Sequence, residues 1–366
     1  MPDARVTKLA KVLVQYSLDL QPGEQFILRT SPLAEELSLE VYKEAILAGA
    51  NVNLQVGLPG AAETFYKYAS DAQLEYVSPL RRIVAEEFDA SLYIEAEHNT
   101  RELSGTDPKK QAQFSKASAE ISKIFFERAA RKELKWSLTV YPTHAMAQEA
   151  DMSLSEYQEF VYQAGMLHLD DPGAFWKNEG KRQRELIAWL EGRDQVVIKG
   201  SNVDLSFSIK ERSFEPADGK YNFPDGEIFT GPVETSANGW IRFSYPAIYG
   251  GQEIEDIQLW FENGKVIREQ ASKGHELLTA LLNTDEGARY LGEWGIGTNY
   301  GIQRFTKNML FDEKIGGTIH LAVGAGYPET GSKNESGIHW DMLCDMVESE
   351  IRVDGDLFYK DGNFVV

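Results

Sequence analysis

The segment Ser336-Gly-Ile-His-Trp-Asp-Met342 alternates apolar and polar residues from its third position onward. Alternate residues of a β-strand point to the same face. The segment therefore predicts a strand that presents His339 and Asp341 side by side. The opposite face is predicted to enter a core and carries Ile338, Trp340 and Met342. Because a histidine beside a carboxylate is an arrangement that binds metal ions, further ligands are expected elsewhere in the chain.

Two glutamates upstream lie in settings that favour a buried site. Glu227 begins a short strand predicted between a turn at 224–226 and a turn at Gly231-Pro232. Glu293 follows a helix predicted over residues 272–292 and is surrounded by apolar residues and glycines. A buried, unpaired carboxylate is costly, and a cation would compensate it. On pattern alone, a solvated turn residue remains the alternative for Glu227, and a structural role the alternative for Glu293.

A second histidine, His320, lies on a strand predicted over residues 318–323. It shares a strand face with the small residues Thr318 and Ala322, which leave room for a bound group. A histidine satisfied within the core is the alternative. Glu313 precedes this strand and offers a carboxylate. The remaining histidines have no matching carboxylate pattern and are predicted to have structural or surface roles: His98, His144, His168 and His275.

Three glutamates, two histidines and an aspartate exceed the protein ligands that one cation normally takes. Mixed carboxylate and imidazole ligands suit Zn²⁺, Co²⁺ or Mn²⁺, and shared carboxylates suit two ions about 3.5–4 Å apart. Such a pair lowers the pKa of a bound water and polarises a carbonyl oxygen. The residues therefore predict a two-metal hydrolase.

Composition narrows the class of protein further. With 37 basic and 57 acidic residues, the formal net charge is −20, which argues against a nucleic-acid partner. The single cysteine, Cys344, excludes an intramolecular disulfide and has apolar neighbours, so it predicts a buried, inert thiol in a reducing compartment. The first residues have no hydrophobic signal region, and no run reaches the ~20 apolar residues of a membrane span. We therefore expect a cytoplasmic protein without a membrane partner.

A chain of 366 residues suits two domains, and its pattern changes near Arg193. The first half alternates predicted strands at 25–29, 51–56, 91–96 and 136–141 with predicted helices at 4–18, 33–48, 108–131, 153–166 and 174–191. This alternation predicts an α/β domain with a mainly parallel sheet over residues 1–190. The second half is rich in hairpin turns and period-2 alternation. It predicts an α+β, mostly antiparallel domain that holds the metal site over residues 191–366.

Four blocks of sequence, in this order and with this approximate spacing, resemble the M29 family of thermophilic-type metalloaminopeptidases. The blocks are Asn222-Phe-Pro-Asp-Gly-Glu-Ile-Phe-Thr-Gly-Pro-Val-Glu234, Thr284-Asp-Glu-Gly-Ala-Arg-Tyr-Leu-Gly-Glu293, Leu310-Phe-Asp-Glu-Lys-Ile-Gly-Gly-Thr-Ile-His320 and Ser336-Gly-Ile-His-Trp-Asp341. Weaker similarity extends over nearly the whole chain. The resemblance implies a homodimeric two-metal exopeptidase with an enclosed cavity. Such an enzyme releases N-terminal amino acids from peptides through a metal-bound water.

Matched block by block, the resemblance also implies roles for individual residues. The implied metal ligands are Glu227, Glu293, Glu313, His320, His339 and Asp341. The spacing from Glu313 to His320 is slightly longer than in some members of the family, so Asp312 is the alternative to Glu313. Tyr327 matches a tyrosine near the metals that can hydrogen-bond the developing oxyanion. The carboxylate that carries the proton to the leaving amine is either Glu227 or Glu293.

Two other functions fit the same residues. One is a different two-metal hydrolase, either an amidohydrolase or a phosphoesterase. Phosphoryl chemistry favours a cluster of Arg or Lys, whereas the four blocks contain Lys314 and Arg289 but no cluster. The other is a non-catalytic ligand-binding protein in which the carboxylates hold a structural cation. Metal-dependent turnover of aminoacyl substrates would separate these functions from an aminopeptidase.

Overall fold

The computed structural model describes residues 3–249 and 251–366. Helices are concentrated in the first half of the chain, as the sequence predicts. A π-helical turn at Leu13–Ser17 continues the first of them. The α-helices are α1 Ala4–Val12, α2 Glu35–Leu47, α3 Ala61–Tyr68, α4 Asp71–Leu74, α5 Pro79–Glu87, α6 Pro108–Ala130, α7 His144–Glu149, α8 Leu154–Ala164, α9 Pro172–Leu190, α10 His275–Leu282 and α11 Met309–Asp312.

Strands dominate the second half. In chain order they are β1 Gln25–Thr30, β2 Asn51–Val56, β3 Ala90–Glu95, β4 Lys135–Val140, β5 Gln195–Lys199, β6 Val203–Ser208, β7 Glu215–Ala217, β8 Asn222–Phe223, β9 Glu227–Thr230, β10 Asn238–Arg242, β11 Ala247–Tyr249, β12 Gln252–Ile254, β13 Gln258–Glu262, β14 Lys265–Gln270, β15 Leu291–Gly297, β16 Thr318–Gly324, β17 His339–Asp345, β18 Glu350–Val353, β19 Asp356–Lys360 and β20 Asn363–Phe364.

Chain contacts divide the protein into two compact units. One consists of Met1–Phe175 with Gly219–Pro224, and the other of Trp176–Asp218 with Asp225–Val366. The division falls within α9, and a short segment from the second half of the chain belongs to the first unit. The domain boundary near residue 190 stays a prediction.

The first unit is built on a parallel sheet with the strand order β2-β1-β3-β4-β8. Each neighbouring pair in this sheet is parallel, so the predicted α/β fold with a mainly parallel sheet is confirmed. Local sequence fixes where the flanking helices begin. For example, Ser153 and Glu156 form a capping box at the start of α8.

The second unit contains two larger antiparallel sheets, which confirms the prediction for this half. An eight-stranded sheet has the order β14-β13-β10-β6-β5-β18-β19-β20, and a five-stranded sheet has the order β17-β16-β15-β9-β7. One apolar core includes residues of both sheets, and the Phe207 ring meets the Trp294 ring edge-on at 5.1 Å. The five-stranded sheet thus has one face in the core and one face available for a site.

The helix predicted over residues 272–292 is wrong in its second half. Helix α10 ends at Leu282, a single 3₁₀ turn spans Gly287–Arg289, and β15 begins at Leu291. The carboxylate of Asp285 accepts hydrogen bonds from the backbone N–H groups of residues 287, 288 and 337. Such side-chain-to-backbone bonds compete with helix formation and fix a loop here. Glu293 therefore lies within a strand and does not follow a helix.

Within residues 3–249 and 251–366, no helix combines the length and the apolar character that a bilayer crossing requires.

Candidate metal centre

The five-stranded sheet brings most of the predicted ligands onto one face. Pairing of β15, β16 and β17 places Glu293 opposite Ala322, and Ala322 opposite Asp341. Residues two positions apart on a strand share a face, so the other predicted ligands on β16 and β17 join them, as does Glu227, which pairs with Gly297 of β15. On this face lie Glu227, Glu293, His320, His339 and Asp341.

The opposite face of these strands is apolar, as the alternation predicts. Trp340 and Met342 lie in the core together with Ile338, and the β16 residues Ile319, Leu321 and Val323 join them. The predicted buried thiol is also confirmed. Cys344 is buried, and burial raises its pKa to about 12.

Five side chains form two groups of three that share one member. Glu227, Glu293 and His320 each offer a ligand atom within 4.8 Å of the others, and so do Glu293, His339 and Asp341. In the first group, Nε2 of His320 lies 3.1 Å from Oε2 of Glu227. In the second, Nε2 of His339 lies 3.4 Å from Oδ2 of Asp341. We call these groups the His320 triad and the His339 triad.

Glu293 links the two triads through its two carboxylate oxygens. Its Oε1 lies 3.5 Å from Nε2 of His320, and its Oε2 lies 3.1 Å from Nε2 of His339. A carboxylate that directs one oxygen to each of two sites is suited to bridge two cations. Glu293 is buried in the sheet interior, so this orientation is fixed by its strand position.

Neighbouring backbone positions orient both imidazole rings. Nδ1 of His339 is 2.7 Å from the carbonyl oxygen of Ala325 and donates to it, so Nε2 is the ring nitrogen that faces Glu293 and Asp341. His320 lies over Gly295, its partner on β15. A Cβ atom at position 295 would come within 2.0 Å of Cε1 and 2.1 Å of Nε2 of His320. The absence of a side chain at Gly295 therefore makes the space that the ring occupies.

The polar atoms of the site fit the donor set of a divalent cation. Among the described residues, Oε2 of Glu227, Oδ1 of Asp341 and both ring nitrogens of His320 are buried without a hydrogen-bond partner. Although Nε2 of His320 is close to Glu227, the pair lacks hydrogen-bond geometry. Buried polar groups are normally satisfied, and a carboxylate and imidazole set suits Zn²⁺, Co²⁺ or Mn²⁺. These residues therefore fit the cations that the sequence predicts.

The electrostatics of the site also favour cations. Burial lowers the pKa of both histidines, but nearby carboxylates outweigh it. They raise the pKa of His339 to about 11 and that of His320 well above its usual range. Burial raises the pKa of Asp341 and that of Glu227, but nearby positive charges outweigh it and both pKa values are lowered. The main opposing group is His339 for Asp341 and Lys314 for Glu227. Protons on the histidines occupy the positions that metal ions would take.

Glu313 lies beside the triads but belongs to neither. Its carboxylate forms an ion pair with the ammonium group of Lys314. Lys314 is buried, and its Nζ lies 3.5 Å from Oε1 of Glu227 and 3.9 Å from Oδ1 of Asp225. Burial raises the pKa of Glu313 to about 8, and Lys314 opposes that rise. Assignment of Glu313 as a ligand stays a prediction.

Asp312, the alternative to Glu313, is used elsewhere in this structure. Its Oδ1 accepts hydrogen bonds from the backbone N–H and the hydroxyl of Thr306, at 2.7 and 2.9 Å. Burial raises its pKa to about 7. The carboxylate of Asp312 thus stabilises the loop before α11.

Tyr327 lies next to the His339 triad. Its ring centroid is 4.9 Å from that of His339, and 39% of the residue is exposed. Partial burial and the nearby carboxylates, with Glu293 the strongest, raise the pKa of the phenol above its usual range. The hydroxyl therefore stays protonated and can donate a hydrogen bond.

The other histidines lie away from this chemistry. The side chains predicted to have structural or surface roles are all exposed: His98, His144, His168 and His275. Two important residues were not predicted from sequence. The sequence contains the run Asp312-Glu-Lys314 but does not indicate that Lys314 is a buried counter-ion. The sequence also gives no sign that Gly295 lies opposite His320, because that pairing joins two separate strands.

The fold and the site together define a metal-dependent hydrolase. The family model described as "Thermophilic metalloprotease (M29)" matches residues 2–364. The chain therefore belongs to the M29 family. This match confirms the predicted family and the predicted enzyme class.

Known relatives match nearly the whole chain. Aminopeptidase 2 of Geobacillus stearothermophilus is 26% identical, covering 98% of this chain and 95% of the relative. Aminopeptidase T of Thermus thermophilus is 27% identical, covering 97% of this chain and 95% of the relative. The solved structure of wild-type AmpT from Thermus thermophilus is also similar. It has a TM-score of 0.86 and 25% identity, and the match covers 99% of both chains.

Proposed function

We propose that this protein is an aminopeptidase that uses two divalent cations to release N-terminal amino acids from peptides. The observation that carries the proposal is Glu293, whose two oxygens face the two histidines of the two triads. The aminopeptidase names of the relatives support the choice of substrate. In this assignment the His320 triad and the His339 triad each hold one cation, with Glu313 as a further ligand.

When bound, such cations lower the pKa of a coordinated water and polarise the scissile carbonyl. The protein residues supply position and proton transfer. Glu293 and the strand pairing of β15 to β17 fix the distance between the triads. The proton lost by the attacking water must reach the leaving amine, and we assign its transfer to Glu227 or Glu293.

Two further features suit an N-terminal substrate. The formal net charge of −20 attracts the positively charged α-amine of a peptide. The protonated hydroxyl of Tyr327 lies beside the His339 triad, where we assign it to hydrogen-bond the developing oxyanion. A free α-amine is therefore part of what the site recognises.

A phosphoesterase is less well supported. Lys314 is paired with Glu313 and faces Glu227. Arg289 forms two hydrogen bonds with the carboxylate of Glu269, at 3.0 and 3.2 Å. The side chains of Lys314 and Arg289 are thus both paired with carboxylates of the protein, and neither is available to bind a phosphate group.

We also propose a cytoplasmic homodimer that acts on short peptides. The buried cysteine fits a reducing compartment. The edge strand β2 supports association, because Leu54 and Val56 are 48% and 47% exposed and no described strand pairs with its outer edge. Uncovered edge strands readily pair with another chain. Light scattering and a length series of peptides test this part. A fully active monomer would contradict the dimer.

An assay with matched substrates tests the main proposal. The metal-depleted protein is reconstituted with Zn²⁺, Co²⁺ or Mn²⁺ and given leucyl-p-nitroanilide and its N-acetylated form. We expect metal-dependent release from the free-amine substrate and none from the acetylated one. Equal cleavage of both would indicate another amidohydrolase. No cleavage of either, with metal bound, would support a ligand-binding protein with a structural cation.

A further inference from the structure

Two aromatic rings form an apolar surface at the edge of the metal centre. Phe229 lies on β9 two residues after Glu227, so both side chains share a strand face. The Phe229 ring meets the Tyr327 ring at 5.6 Å and 63°. Tyr327 in turn lies 4.9 Å from the ring of His339. The two rings therefore connect the strand that carries Glu227 with the histidine of the His339 triad.

Sheet register places Phe229 close to the His320 triad as well. Phe229 is paired with Gly295, and Gly295 is paired with His320 on its other side. Since Gly295 has no side chain, the His320 ring lies over it, between β9 and β16. Phe229 and Tyr327, which we call the aromatic wall, thus adjoin both triads.

Packing of the core does not account for the aromatic wall. Neither ring belongs to the apolar core of this unit, and neither is among the half-buried apolar residues that pack against that core. Phe229 is half-buried, and Tyr327 is 39% exposed. Apolar ring surface is therefore accessible beside a group of buried carboxylates. Binding sites commonly combine an apolar wall with a few polar groups that fix orientation.

We propose that the aromatic wall binds the side chain of the N-terminal residue and selects large apolar side chains such as leucine and phenylalanine. The inference rests on the proposed aminopeptidase function. A peptide held by its α-amine and scissile carbonyl at the triads places its first side chain within reach of the neighbouring rings. Aspartate and glutamate at this position are disfavoured, because the apolar rings of the aromatic wall offer no partner to a desolvated carboxylate.

The test compares kcat/KM for leucyl, phenylalanyl, alanyl, glycyl and glutamyl p-nitroanilides. We expect the wild-type protein to favour leucyl and phenylalanyl substrates and to cleave the glutamyl substrate least. Phe229→Ala should lower kcat/KM for the two large substrates by about tenfold or more, as expected when a hydrophobic pocket loses contact area. Values for alanyl and glycyl substrates should change by less than about twofold, which a general loss of structure would not produce.

Three further variants complete the test. Phe305→Ala is a matched control, because Phe305 is also half-buried and stacks at 5.2 Å on Tyr245, a ring outside the aromatic wall. It should keep the leucyl-to-alanyl ratio of the wild type. Tyr327→Phe retains the ring and should also keep that ratio, even if kcat falls for every substrate. Phe229→Leu keeps apolar volume, should give an intermediate ratio, and decides the matter if Phe229→Ala does not fold.

The two proposals fail in different ways. If metal-loaded wild type cleaves none of the free-amine substrates, the aminopeptidase function is wrong. If it cleaves them but Phe229→Ala and Phe229→Leu keep the wild-type leucyl-to-alanyl ratio, only the role of the aromatic wall is wrong. An equal loss for all substrates with unchanged metal content also contradicts selection by the wall.

Discussion

Gly295→Ala tests how the His320 triad is assembled without changing any proposed ligand. The new Cβ would lie 2.0 Å from Cε1 and 2.1 Å from Nε2 of His320, whereas ordinary contacts begin at 3.4 Å. The ring must therefore move by about 1.4 Å, the difference between 3.4 and 2.0 Å. A metal–imidazole bond is about 2.0–2.1 Å long, so a shift of this size removes Nε2 from coordination distance.

The expected effect on activity is large. A misplacement of about 1 Å in an active site can cost about 10²-fold. We expect kcat/KM of Gly295→Ala to fall by at least about 100-fold, which corresponds to about 2.7 kcal/mol at about 1.36 kcal/mol per tenfold. Bound metal should fall from two ions toward one per chain, because the His339 triad is unchanged. Metal analysis and kinetics on leucyl-p-nitroanilide measure both quantities.

Gly105→Ala is the matched control for this substitution. A Cβ atom at Gly105 meets nothing within 4 Å, and its backbone is not in the left-handed region. Activity and metal content of this variant should equal those of the wild type. If Gly295→Ala binds two ions and keeps its activity within about threefold, the inferred placement of His320 is refuted.

Four further predictions follow from the site. His339→Ala and Asp341→Asn should each lower activity by orders of magnitude while the fold survives. His168→Ala, at an exposed position, should leave activity nearly unchanged. A greater loss of activity for His168→Ala would locate the site elsewhere. Lys314→Met leaves buried carboxylates unpaired, so it should lower the free energy of unfolding of the metal-free protein by about 3–5 kcal/mol. Denaturant unfolding should show a smaller loss for the metal-loaded protein. Equal losses in the two forms would contradict the role of Lys314 as a counter-ion. Because the pKa of His339 is raised from 6.5 to about 11, its contribution to metal-free stability is full below pH 6.5 and declines as pH rises toward 11. A metal ion must displace this proton, so the affinity of the protein for metal should rise between pH 6 and 9. Calorimetry in two buffers should show the released proton. A metal affinity that does not change with pH would contradict this prediction. Tyr327→Phe should lower kcat by about 10²–10³ with metal content unchanged, and a loss of metal would instead make the tyrosine a ligand or packing residue.

Sequence patterns predict the strands of the site well because their signal is local. The alternation around His339 and around His320 correctly predicts which residues enter the core and which share the opposite face. In the structure β16 and β17 pair with each other, which places the predicted faces of the two strands side by side. The parallel sheet of the first unit is predictable for the same reason, since strand–helix alternation is read along the chain.

Features that depend on distant contacts could not be predicted. The helix predicted before Glu293 is wrong in its second half because the carboxylate of Asp285 accepts hydrogen bonds from Ser336 and Gly337, about fifty positions away. The two-residue strand β8 also depends on a distant contact, because it joins the parallel sheet by pairing with β4, which lies far earlier in the chain. No local pattern records either contact.

The pairing of the buried Lys314 with carboxylates of the site could not be predicted from the sequence either. Glu313 and Lys314 are adjacent in the chain, and adjacent opposite charges are usually solvated. Burial of Lys314 against Glu227 depends on where β9 lies relative to α11, which only the tertiary fold determines. The resemblance to the M29 family could suggest the ligands but not this buried lysine between them.

Metal titration of the depleted protein, followed by activity, tests the central claim most directly. Co²⁺, Zn²⁺ or Mn²⁺ is added in steps, and bound metal and hydrolysis of leucyl-p-nitroanilide are measured in the same samples. We predict no activity without metal and full activity at two ions per chain. Full hydrolysis by a demonstrably metal-free sample, or full activity at one ion per chain, would contradict the two-metal site.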